Sequence, residues 1–385
     1  MSSTSRHLTR RAAVVVVLAA VLLLVRVPMA LAGGPPVSGE NLGPDRLPRC
    51  GAVVEAMSPR ARLAQRLMVG VDPADPAAAV EMVRTNQVGG IFIGGNATDL
   101  LVDQALRHVQ AVSRIPVAVA VDDEGGRVQR IDELDGDLPS AREMAADLTP
   151  DEVRARAQER AGQLLGRGVT WNMAPTVDVG DQPADSVIGD RSFGPDPGVV
   201  IDFARAFAEG QRAAGVFTVV KHFPGHGHAD GDSHRGRVST PDLDQLREVD
   251  LVPYQELIGP GKPLADGRTA VMVGHLDVAG LTDGLPTSLT PATYRLLRED
   301  YGFDGLVLTD DLGAMKAVTG TYELPEAVER ALVSGADVAL WSTGGNVVPL
   351  LDELERSLAA GHIDAADNDL AVQRMLAAKG VCGRS

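Results

Sequence analysis

The chain of 385 residues has little lysine, little cysteine, few aromatics and no hydrophobic run long enough to cross a bilayer. Its longest apolar stretch, residues 12–25, falls short of the roughly 20 residues a spanning helix needs, which excludes a multi-spanning membrane protein. Basic charge is in deficit as well. Against 52 Asp and Glu stand 36 Lys and Arg, a net charge of −16, and discounting residues 1–32, which carry four Arg and no acid, takes it to −20. A surface that acidic repels a phosphate backbone, so no nucleic acid is expected as a partner. Only four of the basic residues are Lys. That reads as genome composition, but it makes each Lys conspicuous. With 44% hydrophobic and 23% charged residues the composition is that of a soluble globular protein, and 42 Gly and 24 Pro mark many turns.

The first 32 residues have the three parts of a secretory signal peptide. Arg6, Arg10 and Arg11 precede the apolar run, and Ala30-Leu31-Ala32 supplies the small residues for cleavage after Ala32. A membrane anchor is the alternative; no Cys directly follows the run to carry a lipid, and Cys50, after Leu47-Pro48-Arg49, is too polar in context and too far downstream for that role. Residues 33–49 read as a flexible linker. A secreted or cell-wall associated chain meets oxidising conditions, so Cys50 and Cys382, the only two cysteines, are expected to pair. Two unrelated buried thiols are the other reading.

Short apolar runs recur at 67–71, 90–93, 118–122, 169–172, 216–221, 270–274, 305–310 and 337–340. Most are continuous rather than alternating, as in parallel strands buried on both faces. Helix starts lie between them. Thr149-Pro150-Asp151-Glu152 is a capping box with Pro at the first helical position, and Thr240-Pro241 and Thr290-Pro291 repeat the cap–Pro pattern. No internal repeat or low-complexity stretch interrupts the series. Eight alternating units predict an α/β fold, a single-domain (β/α)8 TIM-type barrel over 50–385. Asp122, Asn172, Lys221-His222, His275 and Asp310-Asp311 all fall at C-terminal strand ends, the face where barrel active sites are built. Any one of them could instead cap the next helix.

Four segments carry candidate chemistry. Residues 221–236, KHFPGHGHADGDSHRG, hold half of the eight His. They could be metal ligands, a catalytic loop using Asp232-Ser233-His234 as an acid/base pair, or a polar surface loop. The spacing matches no helical zinc motif such as H-E-x-x-H. Residues 302–315, GFDGLVLTDDLGAM, deliver Asp310 and Asp311 at a strand end; one carboxylate could attack an anomeric carbon while the other caps the following turn. Residues 121–130, VDDEGGRVQR, offer Asp122, Arg127 and Arg130, a combination suited to polyhydroxyl recognition. Arg191 lies in the loop SVIGDRSFG at 186–194.

Taken together, KHFPGHG with a downstream DSH, DDEGGRVQR, NMAPTVDV, GDRSFG and GLVLTDDL closely resemble glycoside hydrolase family 3, in its β-N-acetylhexosaminidase branch, over roughly residues 57–380. The resemblance implies Asp310 as nucleophile, His234 as acid/base with Asp232 as its partner, and Asp122, Arg130, Arg191, Lys221 and His222 as the residues holding a terminal N-acetylglucosamine. It implies no metal and no cofactor, a small saccharide substrate, and a monomer. The expected reaction is retaining hydrolysis of peptidoglycan-type or chitin-type fragments. Two positions depart from the family: His228-Ala229 stands where Asp-Thr is usual, and Ala314 where a Met commonly follows Asp-Asp-Leu. A β-glucosidase or glycoside phosphorylase specificity, a His-cluster metallohydrolase and an inactive sugar-binding protein are the alternatives.

Overall fold

A computed structural model describes residues 49–383. The leader expected over 1–32 and, but for Arg49, the linker expected over 33–49 lie outside the described residues. Eight strands close into an all-parallel barrel: β1 (Leu67–Val71), β2 (Gly90–Ile93), β3 (Ala118–Val121), β4 (Trp171–Asn172), β5 (Phe217–Phe223), β6 (Thr269–Val273), β7 (Val307–Asp311) and β8 (Val338–Trp341). Each strand pairs with its sequence neighbours, and β8 closes on β1 with Leu67 opposite Ala339. All eight predicted runs are strands of this barrel.

The continuous apolar runs follow from burial on both faces. Met68, Phe92, Ala120, Trp171, Val219, Met272, Leu308 and Leu340 fill the barrel, while their neighbours Val69, Ile91, Val119, Val220, Val271 and Val307 pack beneath the helices. Inside, Trp171 stacks on Phe217 with ring centroids 4.3 Å apart. The two faces differ in position but not in polarity, so period-2 alternation is erased from the sequence.

Thr149 caps the helix Pro150–Gly166 through the expected capping box. Thr290 precedes the helix Pro291–Arg295 but makes no side-chain cap bond. The start expected at Thr240-Pro241 is displaced. The helix begins at Leu243, capped by Asp242, whose side chain accepts from the Gln245 amide while Gln245 reaches back to the cap. An Asx cap with its reciprocal Gln satisfies two free amides, and that outweighs the Thr-Pro signal. The sequence also gave no sign of a short parallel pair, Val238–Ser239 with Leu276–Asp277, set outside the barrel.

At the opposite end of the barrel from the site, Cys50 and Cys382 are joined, with Cα atoms 5.0 Å apart. Val54, Val372 and Leu376 pack around the pair, and Arg49 bridges to Gly383.

Candidate active site

The strand C-termini surround an open cavity of about 700 Å³. Asp122, Arg130, Arg191, Lys221, His222, Asp232, His234 and Asp310 all line it. Residues spread over 188 positions of sequence thus meet in one place because successive strand ends converge.

One wall is a buried lattice of opposite charges. Lys221 extends from β5 with 2% of its side chain exposed, and its Nζ lies 2.6 Å from Asp122 and 2.5 Å from Glu124. Glu124 also takes Arg191 in a two-pronged contact at 2.7 and 2.8 Å. Burial opposes all three charges, but their mutual attraction wins: Glu124 is held well below the usual carboxylate range and Lys221 above its ordinary value. Glu124 was not singled out from the sequence, although it lies within the DDEGGRVQR string. Arg127, whose place in the sequence suits ligand recognition, instead has its guanidinium engaged in bracing. Its Nε donates to Asp190 at 2.8 Å and its Nη2 to the carbonyls of Ser186, Val187 and Ile188, so it fixes the segment that presents Arg191. Asp123 is fully buried, pairs with Arg160 at 2.7 Å and accepts the Arg130 amide at 2.9 Å. The Arg130 guanidinium is left without a carboxylate, and its buried Nε has no partner among the described residues.

Two predicted strand-end residues are scaffold. Asn172 exchanges hydrogen bonds with the Asp123 backbone at 2.7 and 2.9 Å. His275 is buried between Ser288 Oγ at 2.7 Å and the Asp311 carbonyl at 2.9 Å. That carbonyl can only accept, so His275 donates from Nε2 and braces the end of β7.

The Asp310–Asp311 pair divides as the sequence allowed. Asp311 accepts amides of Gly313, Ala314 and Ser342 at 2.8 to 3.1 Å and the Ser342 hydroxyl, and so builds the turn. Among the described residues Asp310 accepts only the Asp311 amide, at 2.8 Å, and faces the cavity. Burial opposes its ionisation, but His222, His275, the Asp311 amide and Lys221 outweigh that and hold it below the ordinary carboxylate range. It is an ionised, unshared carboxylate at the end of a rigid strand.

The loop 221–236 leaves β5 through Gly225, at φ 129°, and Gly227, where a Cβ would come within 1.8 Å of the Val179 carbonyl oxygen. Its four His go to separate places. His222 pairs with Asp178 at 2.7 Å, and His228 pairs with the buried Asp250 at 3.0 and 3.1 Å. His226 is buried, with Nε2 unpartnered among the described residues. His234 stands half in solvent with Nδ1 2.8 Å from Asp232. Burial works against the Asp232 charge, but the ring and amide of His234, with Arg235, keep that carboxylate below its usual range. Among the described residues no three His, Cys, Asp or Glu side chains are arranged to hold a metal ion. The loop tip docks on the segment after β7: Ser233 accepts the Ala317 amide at 3.0 Å and donates to Met315 Sδ at 3.4 Å. Met315 lines the cavity one position beyond Ala314.

The fold is a (β/α)8 barrel with a polar cavity at its strand C-termini, and the family it matches makes it a glycoside hydrolase. Comparison places it further: residues 59–378 match the description "Glycosyl hydrolase family 3 N terminal domain", and the chain belongs to that family. It is 47% identical over 338 residues to Beta-hexosaminidase LpqI of Mycobacterium tuberculosis, covering 85% of each chain. Among solved structures it is similar to a family 3 glycosyl hydrolase from Mycobacterium smegmatis, at 49% identity and TM-score 0.80, covering 86% of this chain and 98% of the other. A β-N-acetylhexosaminidase from Beutenbergia cavernae matches at 30% identity and TM-score 0.74, covering 84% and 99%.

Proposed function

We propose that the protein is an exported, monomeric, retaining β-N-acetylhexosaminidase that removes terminal N-acetylglucosamine from peptidoglycan-type or chitin-type fragments. The observation that carries this reading is a single cavity holding an unshared strand-end carboxylate, Asp310, together with the Asp232–His234 pair and a wall in which Lys221 and Arg191 interlock with Asp122 and Glu124. The names of the relatives support the sugar. The leader over 1–32 and the Cys50–Cys382 bond support export.

Asp310 attacks the anomeric carbon and forms a glycosyl-enzyme bond while the glycosidic bond breaks. His234 delivers a proton from Nε2 to the departing oxygen, because its Nδ1 is directed at Asp232. The neutral ring then accepts a proton from water, which opens the ester and frees Asp310. Asp122, Arg130, Arg191, Lys221 and His222 hold the sugar hydroxyls and the acetamido group. An aryl substrate panel tests the reading. Aryl N-acetylglucosaminide should be hydrolysed at least tenfold faster than aryl glucoside, with no dependence on added phosphate and no loss in chelator. Preference for the glucoside, strict phosphate dependence or inactivation by chelator contradicts it.

A further inference from the structure

Asp178 takes part in none of these steps, yet it is fully buried against the sugar-binding wall. Three donors converge on its carboxylate. Oδ2 lies 2.7 Å from His222 Nδ1, while Oδ1 faces the backbone N–H groups of His222 at 3.2 Å and His226 at 2.7 Å. Burial opposes its charge, but the hydrogen bonds from the His222 ring and from the His226 amide favour the ionised form, and Asp178 is held below the usual carboxylate range. An ionised carboxylate only accepts, so the proton of this contact sits on Nδ1 of His222. On the other edge of the ring, Nε2 faces Nη2 of Arg191 at 3.4 Å. A guanidinium only donates, so a second N–H at Nε2 would set donor against donor. Lys221 stands next in the chain as another cation, and Asp310 is the further charge facing this imidazole. The contact to Arg191 is long, which leaves the Nε2 lone pair open to a better donor.

We propose that Asp178 is a positioning residue that fixes His222 as the neutral Nδ1–H tautomer, so that Nε2 accepts a hydrogen bond from one hydroxyl of the bound sugar. This rests on the saccharide reading of the cavity. The same carboxylate holds the His226 amide, so the sugar-binding imidazole and the root of the 221–236 loop are fastened at one point.

Ring 15N spectroscopy of the whole enzyme at neutral pH, with His222 assigned by comparison with His222→Gln, reads the tautomer without any turnover. The expected spectrum has Nδ1 protonated and Nε2 bare. An Nε2–H tautomer or an imidazolium at His222 overturns the proposal. In Asp178→Asn the amide NH2 turned toward Nδ1 should switch the ring to Nε2–H. With aryl N-acetylglucosaminide this variant should raise KM by about 10-fold or more and change kcat less. Across monodeoxy analogues, one missing hydroxyl should cost the wild type about 10-fold in kcat/KM and the variant almost nothing. A folded Asn variant that keeps Nδ1–H, or one that retains every deoxy penalty, contradicts the assignment. A variant that does not fold leaves the wild-type spectrum to decide. A wild-type enzyme inactive on the aryl sugar would refute the hexosaminidase reading, while the spectrum would still decide the tautomer.

Discussion

At the end of β7 two adjacent carboxylates differ in what surrounds them. Asp311 is wrapped by three amides and a hydroxyl, whereas Asp310 accepts one amide and faces the cavity. Removing them should therefore have opposite consequences. Asp310→Ala should lose turnover to background and melt like the wild type. Asp311→Ala should leave buried amides unpaired and lose stability on the order of 3 kcal/mol, read from urea unfolding. An active Asp310→Ala enzyme would show that another group is the nucleophile. This division was legible in the sequence as two acids at a strand end; which one would cap came only from the family resemblance, not from the residues themselves. Glu124 and Asp178 were not legible as site residues at all. Each lies within a motif that the sequence made prominent, but an acid in a string carries no mark of burial. Only the fold brings Arg191 and Lys221 to Glu124, and two His to Asp178.

The loop 221–236 carries the proposed acid/base pair, and it is tied down by two contacts along its span. Near its root His228 pairs with Asp250, and at its tip Ser233 docks on Met315 and Ala317. Burial pushes the Asp250 carboxyl above its ordinary range, and the His228 contact only partly offsets that. His228→Ala should therefore cost about 1–3 kcal/mol of stability and lower kcat together with it, since the acid/base pair sits on the same loop. An unchanged urea midpoint and unchanged kcat would mean that this pair anchors nothing. The loop's composition and its candidate acid/base pair were legible in the sequence, but not its moorings, because Asp250 and Met315 belong to other elements. The Thr240-Pro241 start failed for a related reason: the stronger cap, Asp242 with Gln245, lay two residues on.

For the whole molecule, the periodic succession of eight buried runs was enough to predict the barrel, since a closed parallel sheet leaves few other arrangements for such a pattern. Closure also brings the first and last described elements together, so the ends of the described segment meet at Cys50 and Cys382. The loop this bond encloses spans a sequence separation of 332 residues, for which the chain-entropy account gives about 4–5 kcal/mol. Protein purified without reductant should show no titratable thiol, and reduction should lower its melting temperature. Two free thiols in protein kept from reductant would contradict the pairing.

The proposed mechanism depends most on His234 acting as the proton carrier for a covalent Asp310 intermediate. A sugar alkoxide must be protonated as it departs, whereas a nitrophenolate leaves unaided. In single-turnover measurements His234→Ala should slow glycosidic cleavage of a natural disaccharide by roughly 10²–10⁴-fold while barely slowing release of nitrophenol. With the aryl substrate, steady-state turnover should then follow a burst, because water needs the same imidazole to open the intermediate. Equal impairment on both substrates, with no burst, would contradict the assignment of His234 as acid/base.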